Sequence, residues 1–176
     1  MTAMIVDAHE DIAWNVLALG RDVRRSALET RRLEVGTDAP ERNGICMVGL
    51  PEWLEGNVAL VFGTVYVAPS QRGRRTGAQG YTNAEEAHAL GQKQLDVYHR
   101  LADRDERLAL VGTQDELDRV LDSWEGESPT VGLVPLMEGA DPIREPAEAE
   151  AWFERGIRLI GPSWKAGTRY AGGDAS

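Results

Sequence analysis

The chain has a single cysteine, Cys46, among its 176 residues. An intramolecular disulfide is therefore excluded, and so is any Cys-x-x-Cys metal or redox motif. No segment approaches the ~18–20 consecutive apolar residues that a membrane-spanning helix needs. Nor does a signal-peptide pattern open the chain, because Asp7, Glu10 and Asp11 interrupt the first apolar stretch. Basic charge is scarce as well, with 19 Lys and Arg against 29 Asp and Glu and a formal net charge of −10. A basic face for nucleic acid or for an anionic membrane is not expected from that balance. A cytoplasmic protein with neither kind of partner is the expectation. No Gly-x-Gly-x-x-Gly or Gly-x-x-x-x-Gly-Lys loop follows an apolar run, so nucleotide binding has no support. The glycine pattern of a serine nucleophile elbow is missing too. Cys46 has no basic neighbour in the sequence to activate it.

What is present begins with His9-Glu10-Asp11, directly after the apolar run Met4-Ile5-Val6. Side chains alternate along a strand, so a strand ending in His-x-Asp offers both groups on one face. An imidazole beside a carboxylate is half of a divalent-metal site. A second carboxylate, Glu138, closes the apolar run Val131–Met137. Two strand ends presenting ligands to the same side point to a barrel with its chemistry at the C-terminal mouth. Two carboxylates and one histidine suit zinc or manganese better than a soft metal.

The segments between these ends alternate in type. Met4–Ala8 reads as a buried strand and Ile12–Leu19 as a short helix. Residues 20–57 read as charged and irregular, with Arg24-Arg25 and Arg31-Arg32 forming a solvated face. Val58–Ala68 reads as a strand rich in Val, Phe and Tyr, and Ser70–Tyr81 as a polar loop. Thr82-Asn83-Ala84-Glu85 has the form of a capping box opening a long helix. His88 and His99 on that helix read as solvated positions. Leu108–Val111 predicts a strand, and Thr113-Gln114-Asp115-Glu116 a second capping box ahead of Leu117–Trp124. Val131–Met137 predicts a strand, Glu145–Arg155 a helix and Gly156–Ile160 a fifth strand. Strands alternating with helices predict parallel βαβ units. The two architectures that fit are an open doubly wound sheet and the opening part of an eight-stranded barrel, which typically needs about 250 residues.

Asp7-Ala8-His9-Glu10-Asp11-Ile12-Ala13-Trp14 resembles the opening motif of the renal or membrane dipeptidase family, peptidase family M19 of the amidohydrolase superfamily. The resemblance continues through Val61–Tyr66, Gln94–Arg100, Leu136-Met137-Glu138-Gly139 and Gly156–Ile160, in the family's order. It implies an α/β fold made of the N-terminal five or so βα units of a (β/α)8 TIM barrel. Residues 1–176 would form the N-terminal part of a single barrel domain whose later strands are absent.

The resemblance also implies a zinc-dependent dipeptidase that uses a metal-activated water, with two zinc ions in each complete site. His9 and Asp11 would bind one metal, and Glu138 would bridge both. Trp14 would form an aromatic wall of the substrate pocket. Trp164 stands where the family often has a substrate-holding histidine, which puts that role in doubt. Two further histidine ligands and a catalytic aspartate come from later strands in the family, so no catalytic residue is assigned here and the chain alone is expected to be inactive. The expected partners are a dipeptide-like substrate and a companion polypeptide or C-terminal part that completes the barrel, or a homodimer. The alternatives are a non-catalytic barrel that binds a small ligand or partner, and a metal-dependent phosphoesterase.

Overall fold

The computed structural model describes residues 3–70, 80–165 and 167–173. In chain order, β1 (Ile5–Glu10) leads into α1 (Ile12–Leu19), followed by α2 (Ala27–Leu33), α3 (Ala39–Asn43) and α4 (Leu50–Glu55). Next come β2 (Val58–Tyr66), the short β3 (Ala68–Pro69) and β4 (Gly80–Tyr81), and the long α5 (Ala84–Arg104). The described part closes with β5 (Leu108–Leu110), α6 (Gln114–Ser123), β6 (Val131–Glu138), a 3-10 turn at Pro146–Glu148, α7 (Ala149–Glu154) and β7 (Leu159–Gly161). Every strand pairing is parallel, as the βαβ alternation predicts.

β2 and β6 form the centre of the main sheet, paired from Leu60↔Gly132 to Tyr66↔Glu138. β1 lies against β2, while β5 and β7 share the other edge of β6. Backbone groups of Val131, Leu133 and Pro135 bond to that outer edge: Val131 N–H to Arg107, Leu133 C=O to Val111, and Pro135 C=O to Arg158. β5 covers the first half of β6 and β7 the second. Pro135 falls in the gap between them, where its missing N–H leaves no ladder bond unmade. Sequential barrel order would put β5 between β2 and β6. With only three residues it pairs outside them instead.

The core lies between the sheet and its helices. Val61 and Val65 of β2 and Leu133 and Met137 of β6 are fully buried with Leu95 and Tyr98 of α5, Leu50 of α4 and Trp152 of α7. A smaller cluster packs Val120 and Leu117 of α6 on Leu60 and Val134. Gly63 has a specific packing reason, since a Cβ there would lie 2.3 Å from Cε1 of Tyr98. The aromatic ring lies directly on the strand backbone.

Several local expectations change. Residues 20–57 hold three short helices rather than an irregular run, and tertiary bonds secure them. Arg21 donates to Glu34 at 2.6 and 3.0 Å, both side chains buried, and to Gly44 O at 2.7 Å. Ser26 caps α2 and also donates to Glu52 of α4 at 2.7 Å. The arginines are not simply a solvated face: Arg24 pairs with Asp22, and Arg31 donates to Cys46 O at 2.6 Å. The long helix starts one residue later than its motif reads. Asn83 accepts from Glu86 N–H, while Thr82 donates to the Glu86 carboxylate. At α6 the capping box forms as expected, with Thr113 and Glu116 each bonding the other's backbone N–H. Of the polar loop Ser70–Tyr81, residues 71–79 lie outside the described residues.

Candidate metal centre

Parallel strands deliver their C-terminal ends to one side, and here that side collects the acidic groups. β1 ends at Glu10, so His9 lies on the strand and Asp11 is the residue from which α1 starts. Two strands over, Glu138 is the last residue of β6. One ligand atom from each of His9, Asp11 and Glu138 lies within 4.8 Å of the other two. His9 Nε2 is 3.3 Å from Glu138 Oε2 and 3.8 Å from Asp11 Oδ1. Sequence reasoning named these three residues, and the fold brings them together.

The donor set fits a hard or borderline divalent cation: one imidazole nitrogen and two carboxylates from separate elements. Electrostatics agree with that fit. Burial pushes the Glu138 carboxyl above its usual range, and the Asp11 charge adds to the shift while His9 opposes it. A cation relieves this crowding of negative charge. Next to the triad, burial raises the Glu10 carboxyl to about 8, with its hydrogen bond to Asp7 as the second cause.

A cleft of about 520 Å³ opens beside the triad, lined by His9, Asp11, Trp14, Asn43, Tyr66, Glu138 and Trp164 among others. Both tryptophans singled out in the sequence therefore lie at the site. Trp164 is 49% exposed and meets the Tyr66 ring edge to face, with centroids 5.1 Å apart. Burial, followed by the nearby Glu138 and Asp11 charges, pushes the Tyr66 hydroxyl up to about 12, so it stays a neutral donor. Asp141, three residues beyond Glu138, is buried, and burial raises its carboxyl against the lowering influence of the nearby Tyr81 and Arg169.

Sequence reasoning passed over Asn43, Tyr66 and Thr64. Thr64 donates to Asp11 Oδ1 at 2.6 Å, and it had read as one more residue of a β-rich run. His88 and His99 are part-buried rather than solvated, yet they stay away from the site. His88 contacts Pro142 O at 3.0 Å and His99 contacts Arg155 O at 2.8 Å. Cys46 is buried, with its thiol donating to Val48 O.

The sequence profile of the membrane dipeptidase family, peptidase family M19, matches residues 1–176. The chain belongs to that family. No curated protein matches it at a significant level. Among solved structures, an M19 metallo peptidase described as the dipeptidase AC superposes with a TM-score of 0.61 at 23% identity, covering 94% of this chain and 44% of its own. The probable dipeptidase PvdM from Pseudomonas aeruginosa gives 0.64 at 12% identity, covering 91% and 34%. A metallo peptidase from Rhodobacter sphaeroides, liganded with a phosphinate mimic of the dipeptide L-Ala-D-Ala, gives 0.59 at 20% identity, covering 94% and 46%. The chain thus spans less than half the length of each. At these identities the likeness is one of fold, the α/β barrel type of M19. Metallopeptidase and dipeptidase chemistry are properties of the family, and the His9–Asp11–Glu138 cluster is where this member has residues suited to a metal.

Proposed function

We propose that this chain supplies the first half of a zinc-dependent dipeptidase centre. His9 and Asp11 would hold one cation, and Glu138 would hold it jointly with a second. One observation carries the reading: three ligand atoms from two strand ends and one helix start converge within 4.8 Å. When bound, such a cation pair polarises an amide carbonyl and lowers the pKa of a water. The chain's own residues have narrower tasks. Thr64 holds the Asp11 carboxylate in place. Trp14, Tyr66 and Trp164 wall the cleft with aromatic surface, which limits water and suits a small ligand with an apolar side chain. The substrate class is a dipeptide-like small molecule, in line with the family and with the dipeptide mimic bound to the Rhodobacter sphaeroides relative.

The proposal includes further polypeptide completing the barrel, either a C-terminal part, a companion chain or a second copy. Its support is the state of two of the outer strands, β1 and β7. Ile5 and Val6 of β1 are 50% and 54% exposed, and Leu159 and Ile160 of β7 are 48% and 41% exposed. Paired strand edges and covered apolar faces are the norm in a finished barrel. The chain by itself is expected to bind metal and to leave dipeptides intact. Metal analysis after zinc loading tests this directly: bound zinc should be lost in His9→Ala and Glu138→Gln. Zinc binding that survives both substitutions would sink the reading.

A second reading has one observation in its favour. On the family resemblance Trp164 stands where a histidine often occurs, and its ring packs edge to face on Tyr66. A barrel that binds a ligand without hydrolysing it would be built this way. Hydrolysis of a dipeptide panel by the completed barrel, abolished by His9→Ala, would remove this alternative.

A further inference from the structure

We propose that Tyr98 is a positioning residue that fixes the Asp11 side of the metal centre, a proposal that rests on reading His9, Asp11 and Glu138 as that centre. The need for it arises where β1 stops. Its last pairing is Glu10↔Gly63, yet β2 runs on to Tyr66. In a parallel ladder, alternate residues turn both backbone polar groups to the same side. Beyond Gly63 the β1-facing side of β2 therefore has unserved groups at Thr64 and Tyr66. Buried backbone groups without partners are costly, so something must replace the missing strand.

Helix α5 replaces it with two side chains four residues apart. The Tyr98 hydroxyl donates to Thr64 O at 2.7 Å. Gln94 accepts from Tyr66 N–H at 2.8 Å and donates back to Tyr66 O. Gly63 makes the approach feasible, because any Cβ there would overlap the Tyr98 ring. The hydroxyl has a second duty: it accepts from the N–H of Ala13 at 3.3 Å, one of the free donors in the first turn of α1.

These bonds close a circuit around Asp11. Asp11 occupies the N-cap position of α1 but makes no capping bond with its side chain. Its carboxylate instead accepts from the Thr64 hydroxyl. Tyr98 thus holds the backbone of Thr64 on one side and the helix that follows Asp11 on the other. Tyr98, Thr64 and Ala13 have no exposed surface, so both bonds of the Tyr98 hydroxyl are shielded from water, while the Asp11 carboxylate that Thr64 holds is half exposed. Glu138 lies on a central strand paired on both sides, whereas the Asp11 carboxylate follows an edge strand and depends on this circuit.

The test is a Co2+ titration of the full chain, read by visible d–d absorption and paired with thermal unfolding. Tyr98→Phe and Thr64→Val should each weaken Co2+ binding about tenfold and alter the band shape, because the Asp11 carboxylate is no longer held. The two links act in series, so the double variant should lose no more than about twofold beyond the weaker single variant. A folded Tyr98→Phe protein that binds Co2+ within about twofold of wild type, with an unchanged spectrum, would make Tyr98 a core residue only and overturn the proposal. Fully additive losses in the double variant would overturn it as well. Should Tyr98→Phe fail to fold, Thr64→Val decides alone, and an unchanged affinity there overturns the proposal. Failure of wild type to bind Co2+ defeats the metal-centre reading and this one with it. Binding that is lost in His9→Ala but kept in Tyr98→Phe defeats this one alone.

Discussion

The two central strands of the main sheet and two of its three outer strands, β1 and β7, are built from similar residues but exist in different surroundings. Val61, Val65, Leu133 and Met137 of β2 and β6 have no exposed surface, whereas Ile5, Val6, Leu159 and Ile160 of β1 and β7 are about half exposed. Aliphatic composition is thus no guide to burial here; what packs on each strand decides it, since Leu108 of the outer strand β5 is only 3% exposed. The candidate site straddles this divide. Glu138 ends a central strand flanked on both sides, while His9 and Asp11 belong to an edge strand and the turn after it. The Glu138 part of the site therefore has its geometry set by the central sheet, and the Asp11 part, on the proposal above, by the bonds that lead through Thr64 to Tyr98 of α5.

The largest expected effect comes from breaking the centre. Leu133→Ala removes a fully buried side chain packed in the main cluster. A loss of about 2–5 kcal/mol in unfolding free energy is expected, from lost burial together with the cavity left behind. Urea unfolding measures it. A cost under about 1 kcal/mol would mean that the central strands are no better packed than the edges, and the contrast would fail.

Part of this arrangement was legible in the residues. The His-x-Asp spacing pointed to His9 and Asp11 as a pair, although β1 stops at Glu10 and Asp11 meets His9 from the N-cap of α1 instead of from the strand; the βαβ alternation placed Glu138 at the same end of the sheet, because parallel strands all exit on one side. Helix α1 and the Thr113 capping box were legible for a similar reason, as both depend on local bonds. What stayed hidden depends on distant partners. Helices α2 to α4 are five to seven residues each, too short to stand alone, and buried pairs such as Arg21–Glu34 hold the segment. Tyr98 falls in the long helix and in the family-like run Gln94–Arg100, but the sequence does not say which strand edge its hydroxyl serves. The place of β5 outside β6 was hidden for the same reason. Neighbour order in a sheet is a property of packing, not of any single segment.

A smaller effect separates the buried part of the mouth from its open part. Asp141, just beyond Glu138, has its carboxyl raised by burial, against the lowering influence of Tyr81 and Arg169. A raised folded-state pKa means the native protein keeps a proton that the unfolded chain has already released. This contribution to stability is complete below the ordinary aspartate pKa and is lost as pH rises through the folded value. Stability should therefore fall with increasing pH over a window that starts near the usual carboxylate range and extends above it. Glu10 and Glu138 act with the same sign, since burial raises both. Asp141→Asn should flatten the slope without removing it. Unfolding free energies measured across that window check this, and a slope equal to that of wild type would show that Asp141 titrates normally.

The smallest effect on stability should come from the outer strands, and there it is most informative. Val6→Thr and Ile160→Thr keep a β-branched side chain suited to a strand while removing apolar surface. Both parent side chains are exposed, so each substitution should change the unfolding free energy by less than about 0.5 kcal/mol. The same pair should reduce any concentration-dependent association seen in sedimentation, because the exposed apolar edges are what another polypeptide would cover. A loss approaching that of Leu133→Ala would mean that β1 and β7 are already covered in solution. The edge strands would then be central strands of a larger assembly, and the contrast between the two halves of the site would belong to the isolated chain alone.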